Sequence, residues 1–221
     1  MSPFAMQIAQ SIVQVISNNS LKMYGGDLAI GAMAIVSSIS LIFTMPLFGL
    51  NQGSQPIIGF NYGAKKYHRV KQAVTYAVIV ATIIVTFGWI VIQTYPEALI
   101  RLFSNDASLS EMATGGLKIF LFMLPVLGFQ IISSNFYLSI GKAKVSMFLS
   151  LLRQVILLIP CLLILPHIGG LGLTGVWLAG PVADGLASLI TGIIFFRSVR
   201  GLKEAKEPQL EVTHPEKIMQ A

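Results

Sequence analysis

The sequence predicts an all-α, polytopic membrane protein, and three observations predict it. Of 221 residues, 54% are apolar and only 11% charged, less than half the charge of an ordinary soluble domain. The apolar residues fall into six runs long enough for about 20 residues of bilayer-spanning helix each. The charged residues gather in the short breaks between those runs, as membrane-flanking anchors do. A single core of this size could not hide so much apolar surface beneath a polar skin. A soluble enzyme, a DNA-binding domain and a disordered chain are therefore excluded.

Taken in order, the runs are Pro3–Met23, Leu28–Phe60, Val70–Gln93, Glu111–Ile140, Val145–Leu165 and Leu171–Phe196. The second is long for one crossing, so its end near Gly53–Phe60 is expected to bend or to leave the hydrocarbon. Gly25-Gly26-Asp27 parts the first two runs, and Lys65–Lys71 parts the second and third. The third connection holds Tyr95-Pro96-Glu97 and Ser104-Asn105-Asp106, and its apolar middle (Ala98–Phe103) is expected at the interface. Gly141-Lys142-Ala143-Lys144 and Pro166–Gly170 supply the last two breaks. Residues 1–196 thus form one six-span unit, and the polar stretch 197–221, with Pro208 and Pro215, is predicted to be a mobile cytoplasmic tail.

Orientation follows from the basic residues. With alternate breaks on alternate sides, 12 of the 15 Lys and Arg fall on one side, including Lys65, Lys66, Arg69, Lys142 and Lys144, and only Lys22, Arg101 and Lys118 on the other. Both termini are accordingly expected in the cytoplasm. The net charge of +6 is divided among the breaks rather than set on one face, so no nucleic-acid partner is expected; membrane lipid is. No Lys or Arg precedes Lys22, which lacks the basic start of a signal peptide, so the first run is expected to be retained. Cys161 is the single cysteine, which rules out an intrachain disulfide.

Polar side chains at bilayer depth are costly unless they face a partner or water. Gln7, Gln10, Ser11, Gln14, Ser17 and Asn18 share one stripe of the first helix, opposite Ile8, Ile12, Val15 and Ile16. Small polar residues can simply join helices, but three glutamines and an asparagine over about four turns point to a wet cavity. Asn51 and Gln55 share a face of the second run, and Gln130, Ser134 and Tyr137 a face of the fourth. In the third run Thr75, Thr82 and Thr86 need only bond their own backbone. Pro46, Pro125, Pro160 and Pro181 open kinks that suit helices able to bend.

Two ionisable residues lie deep. Arg153 is about 12 Å into the fifth run and Asp184 about 18 Å from Phe196 at 1.5 Å per residue, a gap an arginine can bridge. A buried carboxylate there pairs or titrates. Asp184 is therefore expected either to pair with Arg153 or to exchange a proton or sodium, with a fixed structural pair as the alternative.

Enzyme signatures are missing. Gly59–Lys66 has the look of a phosphate loop but is one residue short, with no Ser or Thr after the lysine. His68, His167 and His214 lack metal-ligand spacing. No catalytic site, metal or bound cofactor is expected.

The run Met45-Pro46-Leu47-Phe48-Gly49-Leu50-Asn51-Gln52-Gly53-Ser54-Gln55-Pro56, continued by Gly59-Phe60-Asn61-Tyr62-Gly63-Ala64-Lys65 and Arg69-Val70, closely resembles the multidrug and toxic compound extrusion (MATE) family. Tyr24–Asp27, Arg153-Gln154 with Pro160, and Gly175-Val176-Trp177 with Pro181 and Asp184 extend the likeness over nearly the whole chain. It is most similar to the MepA-like bacterial branch. The resemblance implies twelve spans in two six-helix lobes, a drug cavity between them, and exchange against protons or sodium. Six spans fit the carboxy-terminal lobe, completed by a missing amino-terminal lobe or a second copy. Acidic residues that some members place in the seventh and tenth spans are not seen in spans one and four here, so coupling through this lobe rests on Asp184 alone or on nothing. On this reading Gln7, Gln10, Gln14, Asn18, Asn51, Gln55, Gln130 and Tyr137 line a path for amphipathic, cationic drugs through a bacterial inner membrane. The alternatives are a lipid-linked or polysaccharide flippase, which would need more cavity cations than Arg153, and a truncated fragment that only packs against a partner.

Overall fold

Hydrocarbon offers the backbone no hydrogen-bond partner, so a chain this apolar must satisfy its peptide groups internally, and the helix does so within one segment. The computed structural model describes the backbone of residues 2–201 and the side chains of 7–201. Among the described residues every regular element is helical. These are α1 (Ser2–Gly63), α2 (Tyr67–Thr94), α3 (Pro96–Arg101), α4 (Ala107–Phe120), α5 (Leu124–Ser139), α6 (Ala143–Leu151), α7 (Leu158–Ile164) and α8 (Leu173–Arg200). A π-helical stretch, Leu152–Leu157, joins α6 to α7, and a 3-10 turn, Leu165–Gly170, follows α7.

At 1.5 Å per residue α1 would be about 90 Å long if straight, some three times the hydrocarbon thickness. It is not straight. Gly26 takes φ 67°, ψ −162°, a conformation side chains disfavour, and this divides α1 into arms 2–25 and 27–63. The second arm stays helical through Pro46 and Pro56 to Gly63, so the stretch 53–60 is regular helix.

Besides α1, the helix α2, the stretch Ala143–Gly170 and α8 are each long and apolar enough to cross a membrane. The expected run 111–140 is two helices, α4 and α5, bent by 53°. Pro125 sits in the first turn of α5; having no N–H, it cannot continue the ladder from α4. The expected interfacial segment contains α3, where Pro96 and Ile100 are buried. Helix α8 runs past the predicted start of the tail at 197 and ends at Arg200; Arg197 and Arg200 favour its last turn by facing the carbonyl end of the dipole. The tail beyond Gly201 lies outside the described residues.

The main core joins Leu21, Val36 and Ile39 of α1 to Ala81 and Val85 of α2, Leu117 of α4, Leu124 of α5 and Trp177 of α8. A smaller core nearer the basic breaks joins Ile58, Val70, Phe136, Leu149 and Phe195. Small residues let these helices approach closely: a Cβ added at Gly128 would stand 2.9 Å from Val85 Cγ2 and 3.2 Å from the Ala81 backbone. Ile79, Ile83, Phe87, Leu189 and Ile193 point outward, as side chains facing lipid do.

Candidate solute pocket and its ion pair

The first arm of α1 has three faces rather than two. Ala9 is buried, and Val13 and Ile16 pack on the main core. Ile8, Ile12 and Val15 are exposed. Between these faces runs the polar stripe, and part of it walls a cavity of about 210 Å³ lined by Gln10, Gln14, Ser17, Met33, Ser37, Phe120, Arg153, Gln154 and Trp177 among others. The far wall is built from the π-helical stretch, α7 and α8.

Arg153 is the second residue of that π-helical stretch. A π turn inserts one residue into the ladder and re-aims the side chains around it, and such turns recur at functional sites. Its Nε donates to Asp184 Oδ1 at 2.5 Å; the Arg153 side chain is 33% exposed and the Asp184 side chain 8%. Asp184 sits on α8 one turn beyond Pro181. The pair expected from depth alone is therefore formed, with Arg153 on the pocket wall and Asp184 enclosed behind it.

The remaining candidates divide. Gln7 is exposed at the start of the stripe, outside the pocket lining. Asn18 is half-buried and accepts from Gln14 Nε2 at 3.4 Å, which holds Gln14 in place without lining the cavity. Asn51 is buried; its backbone carbonyl accepts from Asn135 Nδ2 at 3.3 Å and its own Oδ1 has no partner. Gln55 is half-buried one turn on, away from the pocket.

Gln130 and Tyr137 correct the expectation of a path along α5. They are 3% and 1% exposed and face α8, where Gln130 Oε1 accepts from Ser188 Oγ at 3.5 Å and Tyr137 Oη donates to Ser198 Oγ at 2.8 Å. A stripe at helical spacing marks a face, but a neighbouring helix can cover that face as readily as water can.

Gln154, Ser37, Phe120 and Trp177 line the pocket without having been singled out as site residues. Gln154 was legible as a second deep polar group beside Arg153; the other three carry no signal that separates a cavity wall from core. His167 accepts or donates across 3.1 Å to Tyr24 Oη and bonds the Leu163 carbonyl at 2.8 Å. Among the described residues no three His, Cys, Asp or Glu side chains cluster as a metal site would require.

Residues 4–164 match the MatE family. The chain belongs to that family. Among relatives of this MatE chain, the multidrug export protein MepA of Staphylococcus saprophyticus is 27% identical over 195 residues, covering 87% of this chain and 42% of the relative. MepA of Staphylococcus aureus is 25% identical over 193 residues with the same coverage. The MatE chain thus spans less than half the length of the curated relatives it matches. Its fold superposes on a multidrug resistance MATE family transporter of the MOP superfamily in both outward-facing and inward-facing conformations. Each comparison has TM-score 0.84 and 20% identity and covers 91% of this chain; the shares of the solved chains are 45% and 46%. A MOP superfamily transporter from Pyrococcus furiosus gives TM-score 0.85 at 20% identity. The structural likeness establishes a MATE-type helical fold for this multi-pass membrane protein.

Proposed function

We propose that the chain is the carboxy-terminal, six-span lobe of a secondary multidrug exporter of a bacterial cytoplasmic membrane, with both termini cytoplasmic. An amino-terminal lobe, or a second copy, completes the transporter. The observation that carries this reading is the convergence on one pocket of the amides Gln10 and Gln14, the aromatic faces of Phe120 and Trp177, and Arg153 with its enclosed partner Asp184. Walls that mix apolar and aromatic side chains with amides and hydroxyls suit large amphipathic solutes of varied shape. The names of the MepA relatives, multidrug export proteins, support the same substrate class.

Transport, not covalent chemistry, is the work of this site. Arg153 is able to turn toward the pocket because it is one-third exposed, whereas Asp184 is not. An ionised carboxylate left alone at that depth is costly, so separation of the pair and capture of a cation by Asp184 are linked. Re-forming the pair releases the cation. That exchange, proton or sodium against drug, is the antiport step, and the Arg153 and Asp184 side chains are the coupling candidates. Arg153 is neutralised by Asp184, which supports an exporter over a flippase, whose phosphate cargo would require free cations.

The test is efflux of a fluorescent cationic dye from a drug-hypersusceptible bacterium producing this chain together with the amino-terminal half of a MepA relative. Asp184→Asn is expected to abolish ion-driven efflux while membrane insertion persists. Full efflux by that variant rejects the coupling role.

A further inference from the structure

We infer that the seam between α5 and α8 is a hydrated proton route joining Asp184 to the basic face of the lobe. This rests on the reading of Asp184 as the coupling group and adds the path by which its proton travels. At 100° per residue, Asp184, Ser188, Thr191 and Ser198 fall within a sector about 80° wide on α8. Gln130, Ser133 and Tyr137 fall within about 60° on α5. Two hydrogen bonds fix these faces against each other, Ser188 Oγ to Gln130 Oε1 at 3.5 Å and Tyr137 Oη to Ser198 Oγ at 2.8 Å. Between those two points lie Ser133 and Thr191, both 0% exposed, whose hydroxyls have no partner in the protein.

Mere packing does not account for them. A hydroxyl sealed in a dry contact forfeits its hydrogen bonds at full desolvation cost, and an alanine or valine would fill the same space without that loss. Hydroxyls that meet water both donate and accept, so a file of them can hand a proton along. Phe195 lies between Thr191 and Ser198 on α8 and packs edge-to-face on Phe136 at 5.5 Å. It closes the file with an apolar collar of the kind that gates by dewetting.

The charge pattern suits the route. Asp184 faces Arg153 from the π-helical stretch, and α5 carries no charged residue. The other basic groups of α8, Arg197 and Arg200, lie at its far end, with Lys144 of α6 and His68, Arg69 and Lys71 of α2 in the breaks that share that side. Lys22 and Asp27 of α1 and Glu111 and Lys118 of α4 are exposed. In the step itself the Asp184 carboxylic acid gives its proton to a water, the carboxylate returns to the Arg153 N–H, and the proton leaves past Ser188, Thr191 and Ser198 over about 21 Å of helix.

The full chain in lipid nanodiscs tests this by infrared difference spectroscopy after a pH jump, following the protonated-carboxyl band that Asp184→Asn removes. Ser133→Ala with Thr191→Val is expected to slow the appearance of that band about tenfold or more, since both hydroxyls are lost. Ser133→Thr with Thr191→Ser, which keeps both hydroxyls, is expected to leave the rate near that of the unaltered chain, and Phe195→Ala to raise it. An unchanged rate in the Ala/Val pair overturns the route while the coupling role stands; so does equal slowing by the hydroxyl-keeping pair, which would assign the effect to packing. Should the Ala/Val pair fail to fold, Phe195→Ala decides, because no acceleration there overturns the route as well. Absence of any Asp184-dependent band at every pH overturns the proton route, whereas the coupling role itself is decided separately by efflux in the Asp184→Asn variant.

Discussion

Removing Arg153 is expected to harm the fold more than neutralising Asp184, although the two form one ion pair. The asymmetry comes from exposure: the Asp184 side chain is 8% accessible and the Arg153 side chain 33%. Arg153→Met leaves a carboxylate enclosed without a partner, a change of the kind that costs about 3–5 kcal/mol. Asp184→Asn leaves a guanidinium that can swing into the pocket and find water, and the amide oxygen still accepts from Arg153 Nε. That loss is expected near one charged hydrogen bond, about 1.5–3 kcal/mol. The double variant Arg153→Met/Asp184→Leu removes both charges and should recover much of the cost, since well-packed apolar groups often replace a buried pair without penalty. Equilibrium unfolding in mixed micelles, followed by tryptophan fluorescence, measures all three, and Trp177 on the pocket wall places one reporter beside the change. The reasoning is refuted if the single variants lose equal stability, or if the double variant loses the sum of both.

Other outcomes follow from the same geometry. Gly175→Ala would put a Cβ 2.7 Å from the Leu165 carbonyl carbon and oxygen and the Pro166 Cα. Backbone cannot yield as a side chain tip can, so a loss of about 2 kcal/mol or more is expected, whereas Gly49→Ala, with nothing within 4 Å, should be neutral or slightly stabilising in the same unfolding assay. Gly26→Ala forces a left-handed φ of 67° on a residue with a side chain, at about 1–2 kcal/mol; retention of full thermal stability would show that the break in α1 is not held at that residue. On a Cys161→Ala background, cysteines at positions 10 and 14 are expected to react with a membrane-impermeant maleimide and one at position 130 to be protected. Equal protection of all three would leave the pocket dry.

What was legible in the sequence depended on whether local chemistry or distant packing decided the outcome. Gly25-Gly26-Asp27 announced the break in α1 because only glycine readily takes that backbone turn. The Arg153–Asp184 pair could be read from depth along two helices, since a charge within hydrocarbon must find its opposite. The amides of α5 were misread for a definite reason. Spacing places Gln130 and Tyr137 on one face but does not say whether α8 or solvent covers it, and the partners that settle the matter, Ser188 and Ser198, lie 58 and 61 residues away. The bend in the fourth run was visible in Pro125, whose expected kink is the 53° break between α4 and α5, with the proline in the first turn of α5. Trp177 and Phe120 look like core in any window of sequence and become cavity wall only when five separate elements meet.

The wide turn at Leu152–Leu157 makes the fifth crossing an unreliable ruler. It holds one residue more than a regular ladder of the same rise would accept, so losing any one of its six residues would let the α-helical pattern close. The crossing would survive with its two flanks close to their present phase, because the residue lost is the extra one that the wide turn accommodates. The side chains within the turn, Arg153 and Gln154 among them, would be re-aimed, and the Arg153 contact to Asp184 would not keep its present geometry. Length polymorphism at this turn would thus retune the cavity while leaving hydrophobic thickness untouched.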